Sequence, residues 1–252
     1  MIRNIVKKRT VEKSAGEFRF RGVDNTRIEA LSDGVFAIAI ALLIISASMP
    51  KTFDELLLFI DDILPFGICM TLLMVIWYQH YIFFIRYGFK DASIVSLNTL
   101  LLFLVLFYVY PLKFLFTLLV DLWSGLFWNN QELLKHLFTE VININQAPNL
   151  MTIYGFGAMS IFLTLAGMYF IAYKRRLQLE LTAVEIFDTK TSLMTNLLMS
   201  SVPILSIIIS LLPISSRAAF SFSGLVYLIY PLIMIPFGIK SGKRRVRLLS
   251  NS

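Results

Sequence analysis

From Thr26 onward the chain alternates long apolar runs with short polar interruptions. The first run, Arg27 to Met49 (RIEALSDGVFAIAIALLIISASM), keeps all its charges in its first two turns. Thr26 and Glu29 stand three apart, the spacing at which a hydroxyl and a carboxylate satisfy the orphan amides of a helix start. Pro50 prevents the helix from continuing. At ~1.5 Å rise per residue, Thr26 to Met49 spans roughly 36 Å, enough to cross a ~30 Å hydrocarbon core.

Five further runs follow. Together the pattern predicts an all-α integral membrane protein with six spans, at about 27–49, 56–84, 93–120, 151–173, 193–212 and 218–239. The remainder divides into a basic N-terminal segment, 1–25, and a basic tail, 240–252. Residues 1–25 have neither the central apolar stretch nor the cleavage site of a signal peptide, so a solvated tail near anionic headgroups is expected. In the 121–149 connection, Trp123, Phe127 and Trp128 suit a headgroup-level aromatic belt. Leu133, Leu134, Leu137, Phe138 and Val141 recur at the spacing of a surface-lying amphipathic helix.

Composition agrees: 57% of the 252 residues are hydrophobic, only 15% are charged, and the mean hydropathy is +0.74. Runs of this kind do not alternate as outer-membrane strands do. The net charge of +7 is concentrated beside apolar runs, so it speaks for membrane topology and against a nucleic-acid partner. With six spans, nineteen of the 23 lysines and arginines fall on one side, three on the other, and Lys113 lies within a span. This bias puts both termini in the cytoplasm. Lys113 is expected to snorkel toward an interface.

Chemistry-bearing residues are sparse. His80 and His136 lie in different segments, and the lone Cys69 offers no zinc-ligand spacing. No enzyme, metal or cofactor is expected. Gly155-Phe156-Gly157 follows no strand, so close helix packing is the better reading than a nucleotide loop. Asp61 and Asp62 read as a solvated helix end.

Along the first helix, Leu31, Val35, Ile38, Leu42, Ile45 and Met49 form one narrow apolar stripe. Ala30, Gly34, Ala37, Ala41 and Ser48 form a neighbouring stripe of small residues. Both can serve ordinary helix contacts. Asp33, one to two turns inside the membrane boundary, needs a partner. Arg27, His80 and Asn98 stand at matching depth, and Trp77 shares the His80 face. A polar cluster of Arg27, Ser32, Asp33, Trp77, His80 and Asn98 is therefore expected, either as a functional site or as a network that holds the fold.

Arg27-xxx-Leu31-Ser32-Asp33, followed by Gly34-Val35-Phe36-Ala37-Ile38-Ala39-Ile40-Ala41-Leu42-Leu43, resembles the first-helix signature R-x-x-x-F-S-D of the transmembrane protein 175 family of potassium channels. Trp77-Tyr78-Gln79-His80 and Asn98 with Leu100-Leu101-Leu102-Phe103 are similar to that family's second and third spans. The resemblance covers roughly residues 27–112. It implies a six-helix, non-P-loop subunit of a potassium-favouring cation channel in a prokaryotic cytoplasmic membrane. Its partners would be potassium ions, lipid and three further copies of itself. The first helix would line the pore, with Ile38, Leu42 and Ile45 as a hydrophobic gate. The signature Phe is Leu31 here. The pore-helix Thr of many prokaryotic members is Ala41, a change that bears on selectivity rather than on pore formation. A secondary transporter and a non-conducting membrane scaffold are the alternatives from other classes; the sequence has no internal repeat or midplane charge that would favour a transporter.

Overall fold

A computed structural model describes residues 18–22, 26–45 and 50–250. Among these residues all regular structure is helical. α1 (Arg27–Ile45) opens with the expected capping box. The Glu29 amide donates to Thr26 Oγ1 at 3.2 Å, and the Thr26 amide donates to Glu29 Oε1 at 3.3 Å. Residues 46–49, the end of the expected first span, lie outside the described residues, as does most of segment 1–25.

The single span expected over 56–84 is two helices, α2 (Phe53–Asp61) and α3 (Ile63–Tyr87), broken at Asp62. Pro65 is the cause. Its ring would clash with the Asp61 carbonyl in a continuous helix, whereas in the first turn of a new helix its missing N–H costs nothing. Thr52 caps α2 by accepting from the Glu55 amide. Gly88, at φ 60°, ends α3 in the left-handed conformation that a residue with a Cβ adopts at a cost.

α4 (Ala92–Phe127) outruns its expected 93–120, and Pro111 lies within it. Lys113 does not simply snorkel. Its ammonium pairs with Asp62 at 3.2 Å, which ties α4 to the break before α3. Trp123, Phe127 and Trp128 are exposed, as rings at headgroup level would be. The segment after them differs from the expected surface helix. It is a short α5 (Gln131–His136) closed by a π-helical turn, Leu137–Val141. Leu137 is buried, and Leu133 and Phe138 pack with Leu118, Met151 and Phe220 in a small second core. Only Val141 of the expected apolar face is exposed. The segment plugs the ends of three helices because four apolar residues, Leu133, Leu134, Leu137 and Phe138, find neighbours there.

α6 (Ala147–Lys174) and α7 (Ala183–Ser210) pack along most of their lengths. Glycine brings α6 close on two sides: a Cβ on Gly155 would meet Ile207 Cγ1 of α7 at 2.7 Å, and one on Gly157 would overlap the Tyr108 ring of α4. The pair of glycines therefore serves close packing, as expected. α8 (Ser216–Leu225), a 3₁₀ turn (Val226–Leu228) and α9 (Ile229–Ser250) complete the chain. The segment expected as a basic tail from 240 is helical through Ser250, with Lys240/Arg244 and Lys243/Arg247 at i, i+4. Pro203 leaves the Met199 carbonyl without its helical donor; the Tyr230 hydroxyl donates to it at 2.7 Å and pins α9 to α7. Five described helical runs, 63–87, 92–127, 147–174, 183–210 and 216–250, are long and apolar enough to cross a membrane.

Candidate functional site

α1 has two unlike faces. Ser32, Phe36, Ala39 and Leu43 are buried on the side of α1 that packs against α3 and α4, and belong with Phe83, Leu101, Leu165 and Met168 to the buried interior. These positions recur at i, i+4, i+7 and i+11, a single stripe along the helix. Leu31, Gly34, Ala37, Ile38, Ala41 and Ile44 face outward. Ile38 is 56% exposed and a Cβ on Gly34 would meet nothing within 4 Å. Val35 and Leu42 are half-buried at the edge of the core. The side chain of Ile45 lies outside the described residues.

The buried face carries a one-way relay of hydrogen bonds. Ser32 Oγ–H donates to the Ile28 carbonyl at 2.8 Å, so its oxygen must accept from elsewhere. It accepts from Asn98 Nδ2 at 2.9 Å. That orientation of the amide turns Asn98 Oδ1 toward His80, 2.8 Å from Nε2. Because Oδ1 can only accept, Nε2 carries the proton. All three side chains are at most 2% exposed, and the Phe36 and Phe84 rings flank the imidazole. The relay joins α1, α4 and α3, the three helices that the depth-matched residues of the sequence pointed to.

Asp33 is exposed and stands apart from the relay. Its partner is Trp77, whose Nε1–H donates to Oδ1 at 2.8 Å and whose ring stacks on Tyr81. Arg27, expected as a partner, is exposed and enters none of these bonds among the described residues. Five of the six expected residues are thus brought together, in two separate sets. Cys69 is buried and unpaired. No group of three or more His, Cys, Asp or Glu side chains among the described residues is placed to hold a metal.

A second anchor was not foreseen. Residues 18–22, expected as solvated tail, are docked. Glu185 is a buried carboxylate at the start of α7, and an unpaired charge there would be costly. Four donors answer it. The amides of Arg19 and Thr182 donate at 2.8 and 2.9 Å, and Arg21 Nη1 and Nη2 donate bidentately at 3.0 and 2.8 Å. Arg21 Nε also donates to the Leu179 carbonyl at 3.0 Å. Phe18 stands edge-on to Tyr87 beneath the Arg86 guanidinium. The Gly22 amide donates to the Ile85 carbonyl at 3.1 Å. A Cβ on Gly22 would clash with the Phe84 carbonyl oxygen, so the close approach requires glycine. This strap crosses the end of α3 just before the chain enters α1. Nearby, Arg175 pairs with Asp91 at 2.8 Å, and that hydrogen bond holds the Asp91 carboxyl below the ordinary carboxylate range.

The family model described as endosomal/lysosomal potassium channel TMEM175 matches residues 27–108, the stretch that holds α1, α3 and the relay. A potassium channel of Marivirga tractuosa is 48% identical over 235 residues, which cover 93% of this chain and 94% of that one. A crystal structure of a variant of the potassium channel MtTMEM175, in complex with a nanobody–MBP fusion, is similar with a TM-score of 0.80 at 47% identity. The match covers 90% of this chain and 97% of that one. A homologue, from Chamaesiphon minutus, of the lysosomal potassium-selective channel TMEM175 shares the fold. Its TM-score is 0.51 at 21% identity, over 85% of this chain and 96% of that one. With five described runs fit to span a bilayer and relatives of this kind, the protein is a multi-pass cell-membrane protein. The chain belongs to the TMEM175 family of potassium channels, a family of ion channels and not of enzymes.

Proposed function

We propose that the protein is a subunit of a homotetrameric, potassium-favouring cation channel, with α1 of each copy lining a central pore. The observation that carries this reading is the asymmetry of α1. One face is hydrogen-bonded and packed, while the other presents exposed apolar and small side chains. Four such faces about an axis would make a narrow apolar conduit that gates by width and dewetting. Ile38, the most outward of the three expected gate residues whose side chains are described, forms the narrowest ring. Leu42 stands at the edge of that surface, half-turned into the subunit, and Ile45 is proposed as the third gate residue from the spacing of the sequence alone. Six spans, counting α1, and two cytoplasmic ends agree with the charge bias of the sequence. The likeness to named potassium channels supports the ion.

Ala41 lies one turn past Ile38 on the outward face. It presents a methyl group where many relatives of the prokaryotic type carry a hydroxyl, so discrimination between potassium and sodium is expected to be weak. Ala41→Thr should raise the potassium preference, read as a shift of the bi-ionic reversal potential. The same bilayer recording on the unaltered protein tests the whole reading. Currents that follow the gradient without a coupled substrate support a channel; a tight membrane under a potassium gradient refutes it.

A further inference from the structure

α7 and α9 run antiparallel, as two contacts show, Asp188 with Arg245 and the Met199 carbonyl with Tyr230; Ser206 further along α7 donates to the Ser223 carbonyl of α8, which leads into α9. Each helix carries the same pattern. It reads Phe187-x-x-Lys190-Thr191 on α7 and Phe237-x-x-Lys240-Ser241 on α9. Residues at i, i+3 and i+4 share a helix face, and both patterns line one open groove of about 270 Å³, with Met194 and Arg244 completing it.

The antiparallel register sorts this lining by depth. Met194 and Phe237 meet at the membrane end, where the apolar run of α7 begins and that of α9 stops. Lys190 and Lys240, with the hydroxyls of Thr191 and Ser241, fall in the middle. Arg244 lies at the far end. Phe187 also lines the far end, but all three cations lie beyond Met194 and Phe237, across the depth at which a leaflet changes from acyl chain to phosphate. The cations are not needed to hold the helices together. Arg245 does that, with Nε 2.9 and 3.0 Å from the two Asp188 oxygens, and it uses up the nearest negative charge. Lys190, Lys240 and Arg244 are exposed and form no ion pair among the described residues.

We propose that this groove is a binding site for an anionic phospholipid of the cytoplasmic leaflet. Its headgroup phosphate would be held by Lys190, Lys240 and Arg244, and its acyl chains would run along Met194 and Phe237. The site stands whether or not the chain conducts, since it involves no residue of α1.

Native mass spectrometry of the detergent-solubilised protein, titrated with dioleoyl phosphatidylglycerol or dioleoyl phosphatidylcholine, tests it. The unaltered protein should retain phosphatidylglycerol in preference. Lys240→Gln with Arg244→Gln should weaken that binding about tenfold or more, since each surface cation contributes on the order of 1 kcal/mol. Lys243→Gln with Arg247→Gln removes the same charge from residues that do not line the groove and should leave the affinity as it was. Lys240→Arg with Arg244→Lys keeps the charges and should bind as the unaltered chain does. Equal losses in the two Gln pairs would reduce the effect to diffuse attraction and overturn the site. So would displacement of the lipid by millimolar inorganic phosphate, which would mark a soluble-anion site. Cross-linking of Lys240 to a second copy of the chain would show the groove to be a subunit contact instead.

Discussion

The two faces of α1 show how one helix can be both fixed and available. On one face, Ser32, Phe36, Ala39 and Leu43 are buried and Ser32 is tied into the relay with Asn98 and His80. On the other, Ile38 and Ala41 are exposed. In lipid, apolar contact alone gives helices little reason to prefer one neighbour, and packing with interhelical hydrogen bonds decides the arrangement. The polar residues therefore set the rotation of α1, and the apolar ones are left over for whatever the rotation presents. The signature residues that look functional are the anchor, and the plain ones are the candidate pore.

The largest expected effect lies at the strap, which extends the anchored side past the end of the helix. Arg21→Ala leaves the Glu185 carboxylate with two amides and no counter-charge. A loss of about 3 kcal/mol is expected, the lower end for breaking a buried pair, read as a lower unfolding midpoint in detergent. Next comes Asn98→Ala, which strands the His80 Nε2–H and one side of Ser32. About 2 kcal/mol is expected, and an unchanged midpoint would remove the relay from the anchor. Asp33→Ala breaks only the exposed bond from Trp77. It should cost about 1 kcal/mol, and a loss as large as that of Asn98→Ala would merge the two sets of contacts into one. Ile38→Asn lies at the opposite extreme. It should leave stability within about 0.5 kcal/mol while raising conductance or relaxing selectivity. A large loss of stability with unchanged currents would place Ile38 in a helix contact and collapse the distinction between the faces.

What could be read from the sequence was what depends on local spacing or on depth. Thr26 with Glu29 and Gly155 with Gly157 behave as their spacing predicts. His80, Asn98 and Ser32 meet because residues at one depth in neighbouring helices can meet. Depth says nothing about rotation, however, and so Arg27 was matched with Asp33 when Trp77 is the partner. Apolar residues on both sides of Asp61 and Asp62 read as one span and hid the break; the signals were the two carboxylates and Pro65, too close to Asp61 for an unbroken helix. The strap was hidden because a basic residue near a headgroup looks the same docked or solvated. Its signal was Phe18, an aromatic inside a basic run, followed by Gly22. The helical end of α9 was legible in the i, i+4 spacing of Lys240 with Arg244 and Lys243 with Arg247, a regularity that a solvated tail has no need of.

The strap also sets an order of events during synthesis. Arg21 and the carboxylate that receives it are 164 residues apart in the chain. At 5–20 residues per second, roughly 10 to 30 s pass between the making of one and the making of the other. Through that interval α1 exists, with α3 and α4 arriving beside it, and the chain leading into it can rest on the end of α3 at Ile85 and Tyr87 but has no carboxylate to close on. A nascent protein that stalls before α7 thus holds its candidate pore helix by the contacts of α3 and α4, without the charged anchor at Glu185.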